Sequence, residues 1–195
     1  MLKEEKRRVL RSSYKQLERH QWRRFHVLEY LINERTGDQS LLELGVRQGK
    51  CPLHLLKWCS PGGKSYSPLT QYVGIDSYDD PKNEATRGVK DPERYVRRMK
   101  REAQEICNSW PGCRLIIGRT DDVAESIKTK FDIVWIDADH SYEAVTTDIK
   151  NYLSKVKKEG IICGHDYDFK GVKKAVHEHF DTVETWPDDV WVVRL

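Results

Sequence analysis

In this 195-residue chain the side chains with the greatest chemical capacity stand in two short runs. Asp137, Asp139 and His140 lie within IDADHSYE, and His165 and Asp166 lie within GHDY. Carboxylates and imidazoles exchange protons near neutral pH or ligate a divalent cation. Each run follows an apolar stretch, so a buried strand is expected to deliver each set to a sheet edge. A third stretch, ELGVRQG (43–49), places Gly45 and Gly49 just after an apolar run, where the backbone can approach a ligand closely. Its spacing is E-x-G-x-x-x-G, not the G-x-G-x-x-G of dinucleotide-binding turns. Glu43 within it suits a cationic or hydroxyl-bearing ligand rather than a phosphate. Asp76 closes YVGIDSY, and its two oxygens can accept from a cis-diol such as that of ribose; the structural alternative is a turn or helix cap.

Elements able to position these residues alternate along the chain. Apolar residues recur at three- and four-residue steps from residue 3 to 36, predicting two amphipathic helices broken near His20. SLLELGV (40–46) is of strand length, and GKCPLHLLKW (49–58) reads as a helix with Pro52 in its first turn. The stretch 60–70 is loop by its Ser, Pro and Gly content, and 72–78 is a second strand. Asp91 and Pro92 predict the start of a helix running to about 107. Strands over 114–120, 131–138 and 160–167 are separated by helices over 121–128, 141–156 and 169–180. DTVETW and VWVVRL around a PDD turn form a hairpin. This alternation predicts a mostly parallel sheet with ligands outside the C-terminal strand ends, where all the polar clusters fall. Polar strand ends are also what ordinary loops produce.

Length fits one compact domain, and a hydrophobic fraction of 38% with 33% charged residues predicts a folded core under a polar shell. No stretch approaches the ~20 apolar residues of a membrane helix. Five cysteines without a CxxC pair fit reduced thiols, so a cytoplasmic compartment is expected. A net charge of +3 implies no nucleic acid by itself, though residues 1–36 and 87–101 are locally basic. Such charges form either a solvated helix face or a surface for an anionic substrate or RNA.

ELGVRQG, the acid of VGIDS, and the pairing of IDADHSYE with KEGIICGHDY together resemble the class I S-adenosylmethionine-dependent methyltransferases, and among them the small O-methyltransferase branch. The resemblance covers roughly residues 39 to 180. It implies a Rossmann-like three-layer α/β sandwich with a mostly parallel seven-stranded sheet and an antiparallel strand in the terminal hairpin. A helical cap over 1–38 and a methyltransferase domain over 39–195 follow as the expected division. S-adenosyl-L-methionine is the implied cofactor. Glu43, Gly45 and Gly49 would surround its methionine part, Asp76 would hold the ribose, and Arg119, Thr120 and Asp121 would edge the adenine. The implied acceptor is a hydroxyl of a sugar, phenol or related small molecule, with no membrane partner and no nucleic acid. The amphipathic N-terminal helices offer a surface for a homodimer. An RNA methyltransferase and a non-catalytic cofactor-binding protein of the same fold are the alternatives.

Methyl transfer from a sulfonium requires alignment of a nucleophile and removal of its proton. Two versions stand open. In the metal-assisted one, the resemblance assigns Asp137, His165 and Asp166 to Mg²⁺ or another divalent cation; His165 stands where those relatives carry an acid and favours a softer ion. In the metal-free one, His140 or His165 is the general base, and Asp137 is needed for transfer in either. As structural alternatives, His140 and Asp139 would cap the helix beginning near Ser141, and Trp186 and Trp191 would be core.

Overall fold

The computed structural model describes residues 23–59, 69–79 and 88–195. Expectations for residues 1–22, including the first N-terminal helix, and for most of the 60–70 loop lie outside the described residues. Helix α1 (Arg24–Asn33) leads into strand β1 (Gln39–Leu44), followed by α2 (Lys50–Cys59), β2 (Leu69–Asp76) and α3 (Pro92–Asn108). Then come β3 (Cys113–Ile117), the single-turn α4 (Thr120–Val123), β4 (Phe131–Ile136), α5 (Tyr142–Tyr152), β5 (Val156–Gly164) and α6 (Lys170–His179). The chain closes with β6 (Glu184–Trp186) and β7 (Val190–Arg194). Asp91 caps α3 as its position before Pro92 requires, accepting from the Arg94 N–H at 2.9 Å.

The strands form one seven-stranded sheet in the order β3-β2-β1-β4-β5-β7-β6. β1 pairs in parallel with β2 and β4, β2 with β3, and β4 with β5. β7 is antiparallel to both β5 and β6. The order reverses between β1 and β4, which is where an open α/β sheet leaves a crevice at its C-terminal edge.

β1 and β4 are buried along their whole length, as strands covered on both faces must be. Their side chains alternate between two cores. Leu42, Leu44, Val134 and Ile136 pack with Ile149, Tyr152 and Val176 of α5 and α6 on one face. Leu41, Ile133 and Trp135 pack with Leu28, Leu31 and Leu55 of α1 and α2 on the other. Trp191 belongs to the first core and Trp186 packs against the second, as expected of large aromatics.

Boundaries moved at several elements, and β3, β4 and β5 end at Ile117, Ile136 and Gly164 rather than at 120, 138 and 167. β2 begins at Leu69, inside the stretch read as loop, because Leu69 pairs with Gln39. β5 begins at Val156 because it pairs with Phe131, a tertiary reason that its KKEG sequence does not advertise. The segment read as a helix over 121–128 is one α-turn followed by a 3₁₀ turn, Ala124–Ser126. No helix among the described residues is long and apolar enough to cross a membrane.

The N-terminal edge of the sheet is tied together by a buried acid. Asp132 accepts from the Ser40 N–H at 2.9 Å, the Ser40 hydroxyl at 2.7 Å and the Lys157 ammonium at 2.8 Å. Burial opposes its charge, but the Lys157 and Ser40 bonds outweigh that and hold its pKa below the ordinary value. Asp132→Ala strands the Ser40 donors and should lower stability by about 2–4 kcal/mol in urea unfolding at pH 7. Because the pKa is depressed on folding, the stabilisation is present above about pH 4 and is lost as the pH falls further. A deficit that persists unchanged at pH 2.5 would contradict the assignment.

Candidate active site

Parallel pairing brings the C-terminal ends of β1, β2, β4 and β5 to one edge. The Asp137 N–H continues the β4 ladder onto the Leu44 carbonyl at 2.8 Å, and the His165 N–H reaches the Ile136 carbonyl at 3.1 Å. Asp137 and His165 therefore leave the sheet side by side, one strand apart. Gly45 lies directly across from Asp137. At its φ of +89°, a Cβ would stand 2.1 Å from the Asp137 carbonyl oxygen, so only glycine lets the β1 turn pass.

Around Asp137 the charged groups form a connected chain. Its Oδ2 meets the Arg24 Nε at 3.1 Å, and its Oδ1 lies 3.7 Å from Nδ1 of His165. That same Nδ1 is 3.0 Å from Oδ2 of Asp166, which also takes Nε2 of His140 at 2.8 Å. Nε2 of His165 lies 3.6 Å from Oδ2 of Asp188 in the β6–β7 turn. Asp188 Oδ2 in turn accepts from the Arg24 N–H at 2.8 Å and so anchors the start of α1.

Charges this close set one another's protonation. Burial raises the Asp137 pKa, and Arg24 and His165 offset only part of that. Burial would raise Asp166 as well, yet the hydrogen bonds from His140 and His165 reverse this and hold it well below the usual carboxylate range. For His165 burial opposes the imidazolium, but the Asp166 hydrogen bond and the charges of Asp137 and Asp166 prevail, so its pKa lies above the ordinary value. An ionised Asp166 between two imidazoles is thus a proton-holding unit at the end of β5.

Asp137, His140 and Asp166 each offer a ligand atom, and these atoms lie within 4.8 Å of one another. Two carboxylates and an imidazole fit a divalent ion, with the nitrogen favouring one softer than Mg²⁺. This trio has His140 where the resemblance implied His165, whose Nδ1 lies against both acids. Asp139 takes no part: its Oδ1 accepts the Ser141 N–H at 2.7 Å, and Ser141 caps α5. His140 is drawn to Asp166 and does not cap the helix.

On the β1–β2 side, Asp76 accepts from the N–H groups of Val46, Arg47 and Tyr78 at 3.0, 2.7 and 3.1 Å. Burial nonetheless leaves its pKa raised. Glu43 is buried on β1, where it takes the Tyr72 hydroxyl. Burial pushes its pKa up to about 8, so it is protonated at neutral pH. Gly49 faces α3, with Ile106 Cδ1 and Ala103 Cα at 2.9 and 3.1 Å from where a Cβ would stand. Arg119 pairs with Asp121 at 3.2 Å on the surface after β3, and the Thr120 carbonyl accepts the Tyr152 hydroxyl at 2.7 Å.

Residues 42–167 match a family described as a methyltransferase domain. The chain belongs to that family. No curated protein matches by sequence. Solved structures that resemble it include a Podospora anserina methyltransferase bound to S-adenosylhomocysteine, with TM-score 0.61 and 14% identity, covering 98% of this chain and 86% of that one. A TDP-rhamnose 3′-O-methyltransferase of calicheamicin biosynthesis has TM-score 0.55 and 15% identity, covering 87% and 76%. An rRNA methylase from Streptococcus thermophilus has TM-score 0.58 and 12% identity, covering 89% and 96%. At these identities the likeness is one of fold.

Sequence reasoning missed three residues of this methyltransferase's edge. Arg24 is separated from Asp137 by more than a hundred positions and lies on a helix with no motif. Asp188 read only as part of a turn. Asp148 of α5 read as an ordinary helix residue, yet it is 1% exposed and leaves its Oδ2 without a hydrogen-bond partner. It hydrogen-bonds Thr120, and burial pushes its pKa up to about 6. A raised acid favours folding when protonated, so stability declines as the pH climbs from about 4 through about 6. Above that, the buried charge costs on the order of 2–3 kcal/mol. Asp148→Asn should therefore raise the thermal midpoint at pH 8 and leave it nearly unchanged at pH 4. An equal gain at both pH values, or a loss at pH 8, would refute this.

Proposed function

We propose that this chain transfers the methyl group of S-adenosylmethionine to a hydroxyl of a small molecule held over Asp137, His140 and His165. What carries the reading is the wall shared by Gly45 and Asp137. It brings the backbone turn after β1 into direct contact with the strand end that carries a cluster able to take a proton. Cofactor-bound structures of this fold, the Podospora enzyme with S-adenosylhomocysteine among them, support the donor. Asp76 is then the partner of the ribose hydroxyls. It accepts three N–H groups, and its oxygens have further lone pairs for the diol. Arg119, Thr120 and Asp121 border the adenine, and Gly45 the methionine. Glu43 and Gly49 act from behind, one by holding β1 to Tyr72 and the other by seating α2 on α3.

His140 is the residue assigned to remove the acceptor's proton. Its side chain is 29% exposed against 12% for His165, and Asp166 orients it and stabilises the imidazolium that results. His165, buried among Asp137, Asp166 and Asp188, holds the cluster in place. Asp137, His140 and Asp166 would hold a divalent ion, which when bound supplies a Lewis acid that lowers the pKa of a hydroxyl.

The neighbouring O-methyltransferase supports a hydroxyl acceptor. The rRNA methylase favours RNA only through fold. Against RNA, Arg97, Arg98 and Arg101 of α3 are each paired one turn away with Glu93, Glu102 and Glu105, which makes the basic segment a solvated face.

Calorimetry should register S-adenosylhomocysteine binding that Asp76→Ala weakens at least tenfold. In a labelled-methyl assay against sugars and phenols, His140→Ala should lower kcat 10²- to 10⁴-fold with cofactor affinity intact. Binding without transfer to any acceptor would select the non-catalytic alternative. Absence of binding would remove the assignment, and undiminished rates in His140→Ala without metal would remove the base.

A further inference from the structure

We infer that Arg24 is the site's resident counter-cation: its guanidinium and a divalent ion compete for Asp137. This deepens the proposed reading of the Asp137–His140–Asp166 group and rests on it. Arg24 Nε lies 3.1 Å from Asp137 Oδ2 on the side of the carboxylate away from His165. An ion bonded to this carboxylate at its usual distance of about 2.1 Å would share the same small anion with the guanidinium. Asp137 is only 12% exposed at its side chain, so little water intervenes to screen like charges.

Geometry lets the two cations exchange without unseating the helix. The backbone of Arg24 is fixed independently, through its N–H to Asp188 Oδ2 at 2.8 Å, and Leu28, Leu31 and Ile32 of α1 are fully buried. The Arg24 side chain, 30% exposed, can withdraw its guanidinium while α1 stays docked. Arg23, one residue earlier, carries the same charge but pairs with Asp188 at 3.5 Å and does not face Asp137. It is therefore the natural control for a general effect of net charge.

Manganese binding to the full chain, followed by electron paramagnetic resonance without cofactor or acceptor, tests this apart from methyl transfer. Arg24→Met should bind Mn²⁺ at least tenfold more tightly than wild type, Arg24→Lys should remain within about threefold of it, and Arg23→Met within about twofold. Asp137→Asn should abolish the gain in the Arg24→Met background. Should Arg24→Met fail to fold, Arg24→Gln keeps the side chain polar and carries the same expectation. Equal or weaker affinity on loss of the Arg24 charge, an equal gain in Arg23→Met, or no Mn²⁺ binding in any variant would overturn the inference. If the affinity gain is found but no cofactor binds, the cation competition stands and the methyltransferase reading of the site falls.

Discussion

Parallel pairing of β1 with β2 and β4, and of β4 with β5, is the constraint on which the rest of the molecule depends. It brings the C-terminal ends of these four strands to one edge, and the reversal of order between β1 and β4 opens a crevice there. The contact of Gly45 with the Asp137 carbonyl is the tightest expression of that constraint. It leaves no room for a side chain at the junction of the two halves of the sheet.

Gathering acids at one edge works against folding, since a buried carboxylate loses hydration. Different devices meet that cost. Asp166 is held ionised by two imidazoles, whereas at Asp76 three backbone N–H groups offset only part of the effect of burial. Glu43 is protonated, and Asp137 is shared between Arg24 and His165. At the opposite edge Asp132 relies on Lys157 and Ser40 and serves only the fold. Similar residues thus play structural or chemical parts according to which end of a strand they occupy.

Much of the candidate site was legible because the chain writes it locally. IDADH and GHDY each follow a strand, and a strand's direction in a parallel sheet dictates where its last residues emerge. Asp76 and Gly45 were readable for the same reason. Glu43 was legible as a strand residue but its bond to Tyr72 on the neighbouring strand was not, since that partner lies 29 positions away. Arg24, Asp188 and Asp148 were not legible at all. Each acts through a partner far away in the chain, and no local spacing encodes such a meeting.

Alternating apolar runs and helical periods, with capping residues such as Asp91 and Ser141, therefore determined the elements, their order and the edge at which chemistry collects. Tertiary structure alone decided that two imidazoles meet at Asp166, that Arg24 reaches Asp137 and which carboxylates keep their charge. Those outcomes depend on distances of a few ångströms and on exclusion of water, which exist only once strands and helices from distant parts of the chain have packed together.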